Sequence, residues 1–175
     1  MAHAEQIQHC RLVKYRMPHH FSGVEVLDCG SHDINGNNRH LFDLDCTYTG
    51  LDILEGANVD VVGLIHEHTG EYDTIISCSC FEHDKYYVQS LNNMIEMLRP
   101  GGFMLVTCAS IACPEHGTSR HLDWASPGTN DYYKNLTIDD ICKAIHFPTA
   151  FSDYEITLGN RAKDLYFWGI KRETT

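Results

Sequence analysis

Residues 103–109 read FMLVTCA, and this unbroken run of apolar and small residues constrains the fold more than any other segment. A strand with one solvated face alternates apolar and polar side chains, whereas a strand of a parallel sheet is covered on both faces and is apolar almost throughout. Pro100 and Gly101 stand just before the run and end any helix that precedes it. The segment therefore predicts a buried strand in a sheet with helices on both sides.

The remaining segments complete an α/β pattern. Short runs of β-branched and apolar residues predict strands over 24–29, 47–53, 59–64 and 72–77. Apolar residues three and four apart predict a helix over 84–98, and Thr137 as N-cap predicts a short helix over 136–145. Two further strands, 151–158 and 164–170, flank the connection GNRAK, which suits an antiparallel hairpin.

This order of elements predicts one domain over residues 1–175. We expect an α/β fold, a Rossmann-like three-layer sandwich, in which helices cover both faces of a mostly parallel sheet. The sheet should have seven strands or slightly fewer, with the antiparallel hairpin at its C-terminal end. Residues 110–135 are polar and without periodicity, and a loop of that length usually has a function.

The charge of the chain narrows its partners. Its 175 residues include 24 acidic and 13 basic side chains, a formal net charge of -11, which disfavours binding to nucleic acid or anionic lipid. The apolar runs are shorter than the roughly 20 residues that cross a membrane, and residues 1–20 lack the apolar stretch of a secretory signal. We expect a cytoplasmic protein with reduced cysteines, because several of them stand in apolar, strand-like runs.

The turn after the first predicted strand has the features of a nucleotide site. Gly30 allows close approach of the backbone to a ligand, and Asp52, near the end of the next strand, can accept hydrogen bonds from ribose hydroxyls. The turn lacks both the G-x-G-x-x-G of dinucleotide sites and the Gly-Lys-Ser/Thr of phosphate-binding P-loops. Asp28 and Asp33 would repel a pyrophosphate but suit an ammonium or sulfonium charge. The turn thus predicts a site for a cationic nucleoside.

Four motifs, in order, resemble those of the class I S-adenosylmethionine-dependent methyltransferases. VLDCGSHDING resembles motif I, YTGLDI the acidic motif after it, YDTIISCSCFEHD the fourth-strand motif with its Glu-His pair, and MLRPGGFMLVTCA the helix end, Pro-Gly-Gly turn and fifth strand. Together they cover residues 24–109, and the chain most resembles the small methyltransferase type 11-like proteins of bacteria and phages. The resemblance implies S-adenosylmethionine as cofactor and methyl transfer as activity.

The resemblance also implies cofactor contacts. Asp28 should act on the methionine ammonium through water, Asp52 should bind the ribose, and Ile53 should pack on the adenine. The implied cofactor-binding residues are Asp28, Gly30, Ser31, Gly36, Asp52, Ile53, His66, Ser77 and Cys78. The chain departs from the family pattern in two places: the loop at His66 lacks the acidic residue that many relatives use for the adenine amine, and the helix between strands two and three is nearly absent.

A methyl on a sulfonium needs an aligned acceptor and, for some acceptors, a base that removes a proton. Histidine titrates near neutral pH, so His83, His116 and His121 are the candidate catalytic residues. The other interpretation of His83 is that the Glu-His pair orders the helix start and the cofactor pocket. No metal is expected, because the cysteines and His116 form no paired C-x-x-C units.

Three residues of the long loop are candidates for acceptor binding. Arg120 could hold a carboxylate or phosphate, although an exposed arginine is usually only solvated. Tyr132 and Tyr133 could form an aromatic wall over the acceptor or simply pack the loop onto the sheet.

The acceptor class is narrowed by exclusion. Signatures of DNA amino and cytosine methyltransferases are missing, which together with the acidic charge favours a small molecule, such as a sugar or another metabolite, over nucleic acid. The other hypotheses are a non-catalytic S-adenosylmethionine-binding or assembly protein with the same fold and an NAD-binding protein. Only a short N-terminal segment and the loop over residues 110–135 could cover an acceptor, which suggests an open site or help from a second subunit in a homodimer.

Overall fold

The computed structural model describes residues 4–173, in which seven strands form one sheet of order β3-β2-β1-β4-β5-β7-β6. The strands are β1 (Glu25–Cys29), β2 (Thr47–Asp52), β3 (Val61–Val62), β4 (Tyr72–Cys78), β5 (Leu98–Ala109), β6 (Phe151–Gly159) and β7 (Asp164–Lys171). The helices are α1 (Ala4–Arg16), α2 (Tyr87–Met97), α3 (Ile138–Ala144) and α4 (Phe147–Ala150). Helices cover both faces, so the predicted Rossmann-like α/β sandwich is confirmed.

The sheet is parallel from β3 to β5 and antiparallel beyond. Leu27 of β1 lies between Thr49 of β2 and Ile75 of β4 in parallel register. On the other side of β5, Leu105 pairs with Trp168 of β7 in antiparallel register, and β6 pairs with β7 as the predicted hairpin. The carboxyl ends of the parallel strands, β1 to β5, therefore lie at one edge of the sheet, where a ligand could bind.

One face of the sheet packs against α2, α3 and α4. Leu91, Met94 and Met97 of α2 are buried at the spacing that the sequence predicted, against Ile75 and Met104 of the sheet. Helix α3 begins with the predicted cap: the Thr137 side chain accepts a hydrogen bond from the Asp140 amide, and the Asp140 carboxylate accepts one from the Thr137 amide. This larger of two buried clusters fixes the helices that surround the carboxyl edge.

The opposite face is covered by α1, which the sequence did not predict. The buried face of this helix consists of Gln6, Cys10 and Val13, none of which is a large apolar residue, so its periodicity is weak. Between β1 and β2 the described chain forms only a single 3₁₀ turn at Arg39–Leu41. Phe21, stacked on Phe42 with ring centroids 5.0 Å apart, fills the rest of this face.

Two observed strands differ from the predicted ones by more than one residue. The strand predicted over 59–64 is reduced to Val61–Val62, because the Asp60 carboxylate accepts the hydrogen bond of the Gly50 amide beside it. The strand predicted over 103–109 begins earlier, at Leu98, directly after α2. Residues 53–60 contain no helix, as expected. Across residues 4–173, every helix is too short or too polar to cross a lipid bilayer.

Candidate functional site

A cavity of about 550 Å³ opens at the carboxyl edge of the sheet, where β1 and β4 are neighbours. The chain leaves these two strands toward opposite sides, and such a switch point is where open α/β sheets bind ligands. The lining comes from the turns after β1, β2, β3 and β4 and from residues 125–132 of the long loop. Predicted site residues on this lining are Gly30, Asp52, Ile53, His66, His83 and Tyr132.

Gly30 forms the floor of the cavity at the end of β1. Its φ is +79°, its amide donates to the Leu51 carbonyl oxygen at 2.8 Å, and a Cβ here would lie 2.6 Å from Cys80 Sγ. A larger residue would be strained and would push Cys80 into the cavity. The glycine is therefore required by the close approach of two strand ends.

Asp52 ends β2 and presents a carboxylate to the cavity. Its Oδ2 accepts a hydrogen bond from the His32 amide at 3.0 Å, which fixes the side chain while leaving lone pairs for a ligand. Ile53 follows Asp52 in the sequence. Residues 125–131 of the long loop form a lid over the cavity, and its Gly128 lies so close to Ile53 that an added Cβ would be 3.1 Å from Ile53 Cδ1. The lid therefore lies directly over the apolar residue next to Asp52.

His66 lines the same end of the cavity from a 3₁₀ turn, Ile65–Glu67. Its ring centroid is 4.6 Å from that of Tyr86, which also lines the cavity. This end of the cavity therefore carries the Asp52 carboxylate, the Ile53 side chain and two aromatic rings. The carboxylate suits the ribose of an adenosine, and the aliphatic side chain and the rings suit its base.

Asp28, Ser31 and Gly36 do not line the cavity. Asp28 is buried on the α1 face, where its Oδ2 accepts a hydrogen bond from the Tyr48 hydroxyl at 2.5 Å. Burial raises the pKa of Asp28 to about 6. Ser31 is buried behind the turn, and Gly36, with φ +117°, donates its amide to Asp33 Oδ1 at 2.6 Å. These residues hold the turn, and their contact with the cofactor stays a prediction.

Ser77 and Cys78 also point into the fold instead of the cavity. The Ser77 hydroxyl donates to the Cys29 carbonyl oxygen at 2.8 Å, and Cys78 Sγ accepts from Asn38 Nδ2 at 2.8 Å. The reason is that β4 continues to Cys78, so the residues that emerge at its end are Ser79, with φ +56°, and Cys80. The residues that line the cavity thus lie two positions after the predicted pair, whose contact with the cofactor stays a prediction.

Three polar side chains, those of Glu82, His83 and His116, lie together at the other end of the cavity. Glu82 and His83 follow β4, and His116 comes from the long loop. Glu82 is 1% exposed, and its Oε1 is 4.0 Å from His116 Nε2. The His83 ring is buried edge-on to that of His116, with centroids 5.0 Å apart. Burial lowers the pKa of His83 to about 4, so this ring is neutral and a weak base at physiological pH.

The remaining loop candidates separate into two sets. Tyr132 lines the cavity, whereas the Tyr133 hydroxyl donates to Asn135 Oδ1 at 2.6 Å and holds the loop. Arg120 and His121 are exposed and off the lining, and Arg120 is paired with Glu115 at 2.6 Å. The cavity also has lining residues that the sequence did not indicate: His32, Ser79, Cys80, Lys85, Tyr86 and the 125–131 lid.

The sheet order and the cavity at its switch point define a Rossmann-like nucleotide-binding architecture, and the matching solved structures give its class: the chain has the class I S-adenosylmethionine-dependent methyltransferase fold. A Burkholderia thailandensis 1,6-didemethyltoxoflavin N1-methyltransferase, solved with its substrate and S-adenosylhomocysteine, matches with a TM-score of 0.65 at 15% identity over 95% of this chain and 78% of that one. A Haemonchus contortus phosphoethanolamine N-methyltransferase 2 with S-adenosylmethionine matches with a TM-score of 0.67 at 16% identity, over 95% and 52%. The predicted fold is confirmed.

Curated relatives point to the same class of protein. A ubiquinone biosynthesis O-methyltransferase from Dinoroseobacter shibae is 26% identical over 155 residues, which is 74% of this chain and 61% of the relative. One from a Caulobacter species is 29% identical over 83 residues, or 45% of this chain and 33% of the relative. The chain thus spans between a third and about three fifths of the relatives it matches. No protein-family model matches the chain.

Proposed function

We propose that the chain binds S-adenosylmethionine and transfers its methyl group to an oxygen or nitrogen of a small-molecule acceptor. The observation that carries this proposal is the cavity at the switch point, with Gly30 at its floor and Asp52 at one end. Its polar groups suit a cationic nucleoside better than a pyrophosphate, because the cavity carries carboxylates and the turn lacks a phosphate-binding glycine pattern. The fold and the named relatives support the same activity.

The cofactor would lie along the carboxyl edge of the sheet. Asp52 would accept hydrogen bonds from the ribose hydroxyls, while Ile53 and His66 would contact the adenine. The methionine part would then cross Gly30, and Ser79 and Cys80 would border the sulfonium. This placement brings the methyl group to the end of the cavity where His83 and Tyr132 stand.

The acceptor would enter beside Tyr132, between the lid and the strand ends. Methyl transfer requires in-line attack on the sulfonium carbon, so the main contribution of the protein is to align the acceptor and exclude water. A proton released by the acceptor would leave toward the group of Glu82, His83 and His116. His121 and Arg120 have no part in this proposal, since both are exposed outside the lining.

Calorimetry with S-adenosylhomocysteine tests cofactor binding. The wild-type protein should bind it, and Asp52→Asn should bind it about tenfold to a hundredfold more weakly, because a charge-assisted hydrogen bond contributes about 1.5–3 kcal/mol. Glu55→Gln is the matched control, as Glu55 is an exposed carboxylate three residues away that does not line the cavity. Equal affinity of the two variants, or no binding by the wild type, would contradict the proposed site.

Turnover is measured separately, as release of S-adenosylhomocysteine in the presence of pools of phenols, amines and sugars. Methyl transfer predicts acceptor-dependent release above the background of cofactor hydrolysis. Tight cofactor binding without release in any pool would instead identify a non-catalytic binding protein.

A further inference from the structure

Glu82, His83 and His116 form a cluster of potential metal ligands beside the cavity. One potential ligand atom from each residue lies within 4.8 Å of the others. Glu82 is 1% exposed, yet its Oε2 has no hydrogen-bond partner in the part of the chain that the structure describes. A buried carboxylate oxygen without a partner is costly, so an additional group is required to satisfy it.

Each of the two histidine rings has one nitrogen bonded to a backbone carbonyl oxygen. His116 Nδ1 is 3.0 Å from the Pro114 carbonyl oxygen, and His83 Nδ1 is 3.4 Å from that of Tyr132. A carbonyl oxygen only accepts, so in both rings Nδ1 carries the hydrogen and Nε2 keeps its lone pair. Histidines that bind metals show this arrangement, in which the second ring nitrogen donates to a backbone carbonyl.

The charge around Glu82 favours a cation. Among residues 4–173, Glu82 makes no ion pair with a lysine or arginine. Lys134 approaches it only through its backbone amide, which donates to the Glu82 carbonyl oxygen at 2.8 Å, while its ammonium pairs with Asp140 at 2.7 Å.

We propose that Glu82, His83 and His116 bind one divalent transition-metal ion at the rim of the cavity. Two imidazoles and one carboxylate form a ligand set that suits zinc and its neighbours, and three protein ligands leave a fourth position open. Cysteine spacing could not reveal this site, since none of its ligands is a cysteine.

A movement of about an ångström closes the site. Tetrahedral ligands at about 2.1 Å from a metal are about 3.4 Å from one another. The 4.0 Å between His116 Nε2 and Glu82 Oε1 must therefore shorten by about half an ångström, and a pair at the outer limit of 4.8 Å by about 1.4 Å. Gly117 makes the approach possible: its φ is +67°, and a Cβ there would lie 2.7 Å from His83 Cε1. Because residue 117 is a glycine, the loop can bring the His116 ring close to the His83 ring.

Of the three ligands, His83 lines the cavity, as does the neighbouring Tyr132, so an acceptor bound in the cavity would lie next to the cluster. A metal there would take an oxygen of the acceptor as its fourth ligand and lower the pKa of a hydroxyl on it. This role in catalysis rests on the proposed methyl transfer, whereas the binding of the metal does not.

Titration with Co²⁺ tests the site on the full chain. Its visible absorption reports ligand geometry, and thiolate ligation adds a strong near-ultraviolet charge-transfer band that this ligand set lacks. We expect one equivalent of Co²⁺ without that band, competition by Zn²⁺, and at least tenfold weaker binding in Glu82→Gln and His116→Ala. His121→Ala is the matched control: this exposed histidine of the same loop is outside the cluster and should leave the affinity unchanged.

Calorimetry with S-adenosylhomocysteine on the same samples separates the two proposals. Wild-type affinity for it in His116→Ala shows that the cavity is folded, so that lost Co²⁺ binding is a loss of a ligand. Absence of stoichiometric Co²⁺ binding, a thiolate band, or equal affinities of His116→Ala and His121→Ala would each overturn the metal site, and none of them concerns the cofactor. Co²⁺ binding without cofactor binding would support the metal site and refute the proposed function alone.

Discussion

Replacement of Asp28 by asparagine should stabilise the protein at neutral pH. Burial raises the pKa of the Asp28 carboxyl from 3.8 to about 6, although Tyr48 donates a hydrogen bond to it. The folded protein therefore binds this proton more tightly than the unfolded chain does. Its free energy of unfolding falls as pH rises between the two pKa values. At about 1.4 kcal/mol per pKa unit, the loss is about 3 kcal/mol above pH 6.

Urea denaturation of the wild type and Asp28→Asn at about pH 4 and about pH 7.5 measures this effect. Asparagine keeps the shape of the side chain and an oxygen that accepts from the Tyr48 hydroxyl. The variant should match the wild type near pH 4 and exceed it by up to about 3 kcal/mol near pH 7.5. Asp153→Asn, at an exposed position of β6, is the control and should not change the pH dependence. A difference that is the same at both pH values, or lower stability of Asp28→Asn near pH 7.5, would refute the reasoning.

Two further substitutions test the floor of the cavity and the core. Gly30→Ala should lower the free energy of unfolding by about 1–2 kcal/mol for the left-handed backbone alone, which a thermal melt would detect. The contact of the new Cβ with Cys80 should also weaken S-adenosylhomocysteine binding at least tenfold, as measured by calorimetry. Wild-type affinity in that variant would show that the floor is not at the ligand. Phe103→Ala should cost about 3–5 kcal/mol in urea, since Phe103 is fully buried and stacks on His20 with centroids 4.7 Å apart; a cost under about 1 kcal/mol would contradict this packing.

The strands and the hairpin could be predicted because burial on both faces leaves a direct mark on the sequence. Residues 103–109 are apolar throughout and occupy the centre of the sheet between β4 and β7. Helix α1 left no such mark, since Gln6 and Cys10 provide much of its buried face. Its position depends on contacts with distant residues, such as the 3.8 Å approach of Cys10 Sγ to Cys78 Sγ.

The cavity was predicted where a residue type and a strand end coincide, as at Gly30 and Asp52. At β4 the local sequence SCSC does not show where the strand stops, and the residues on the lining are Ser79 and Cys80, two positions after the predicted Ser77 and Cys78. The sequence singled out the Glu-His pair and His116 but did not show that they meet in one cluster. His116 reaches it through the path of the long loop, which is held by tertiary hydrogen bonds such as that from Asn135 to the Cys113 carbonyl oxygen.

Gln6 of α1 has a consequence for the order of folding. Its side-chain amide donates to Asp164 at the start of β7, and its carbonyl oxygen accepts from the Ser79 hydroxyl at the end of β4. These partners are 158 and 73 residues away in sequence, so both contacts must close long loops. During synthesis α1 leaves the ribosome long before Asp164 exists. The Gln6–Asp164 contact can form only after β7 has paired with β5, so the final attachment of the first helix is a late event that reports the completed sheet.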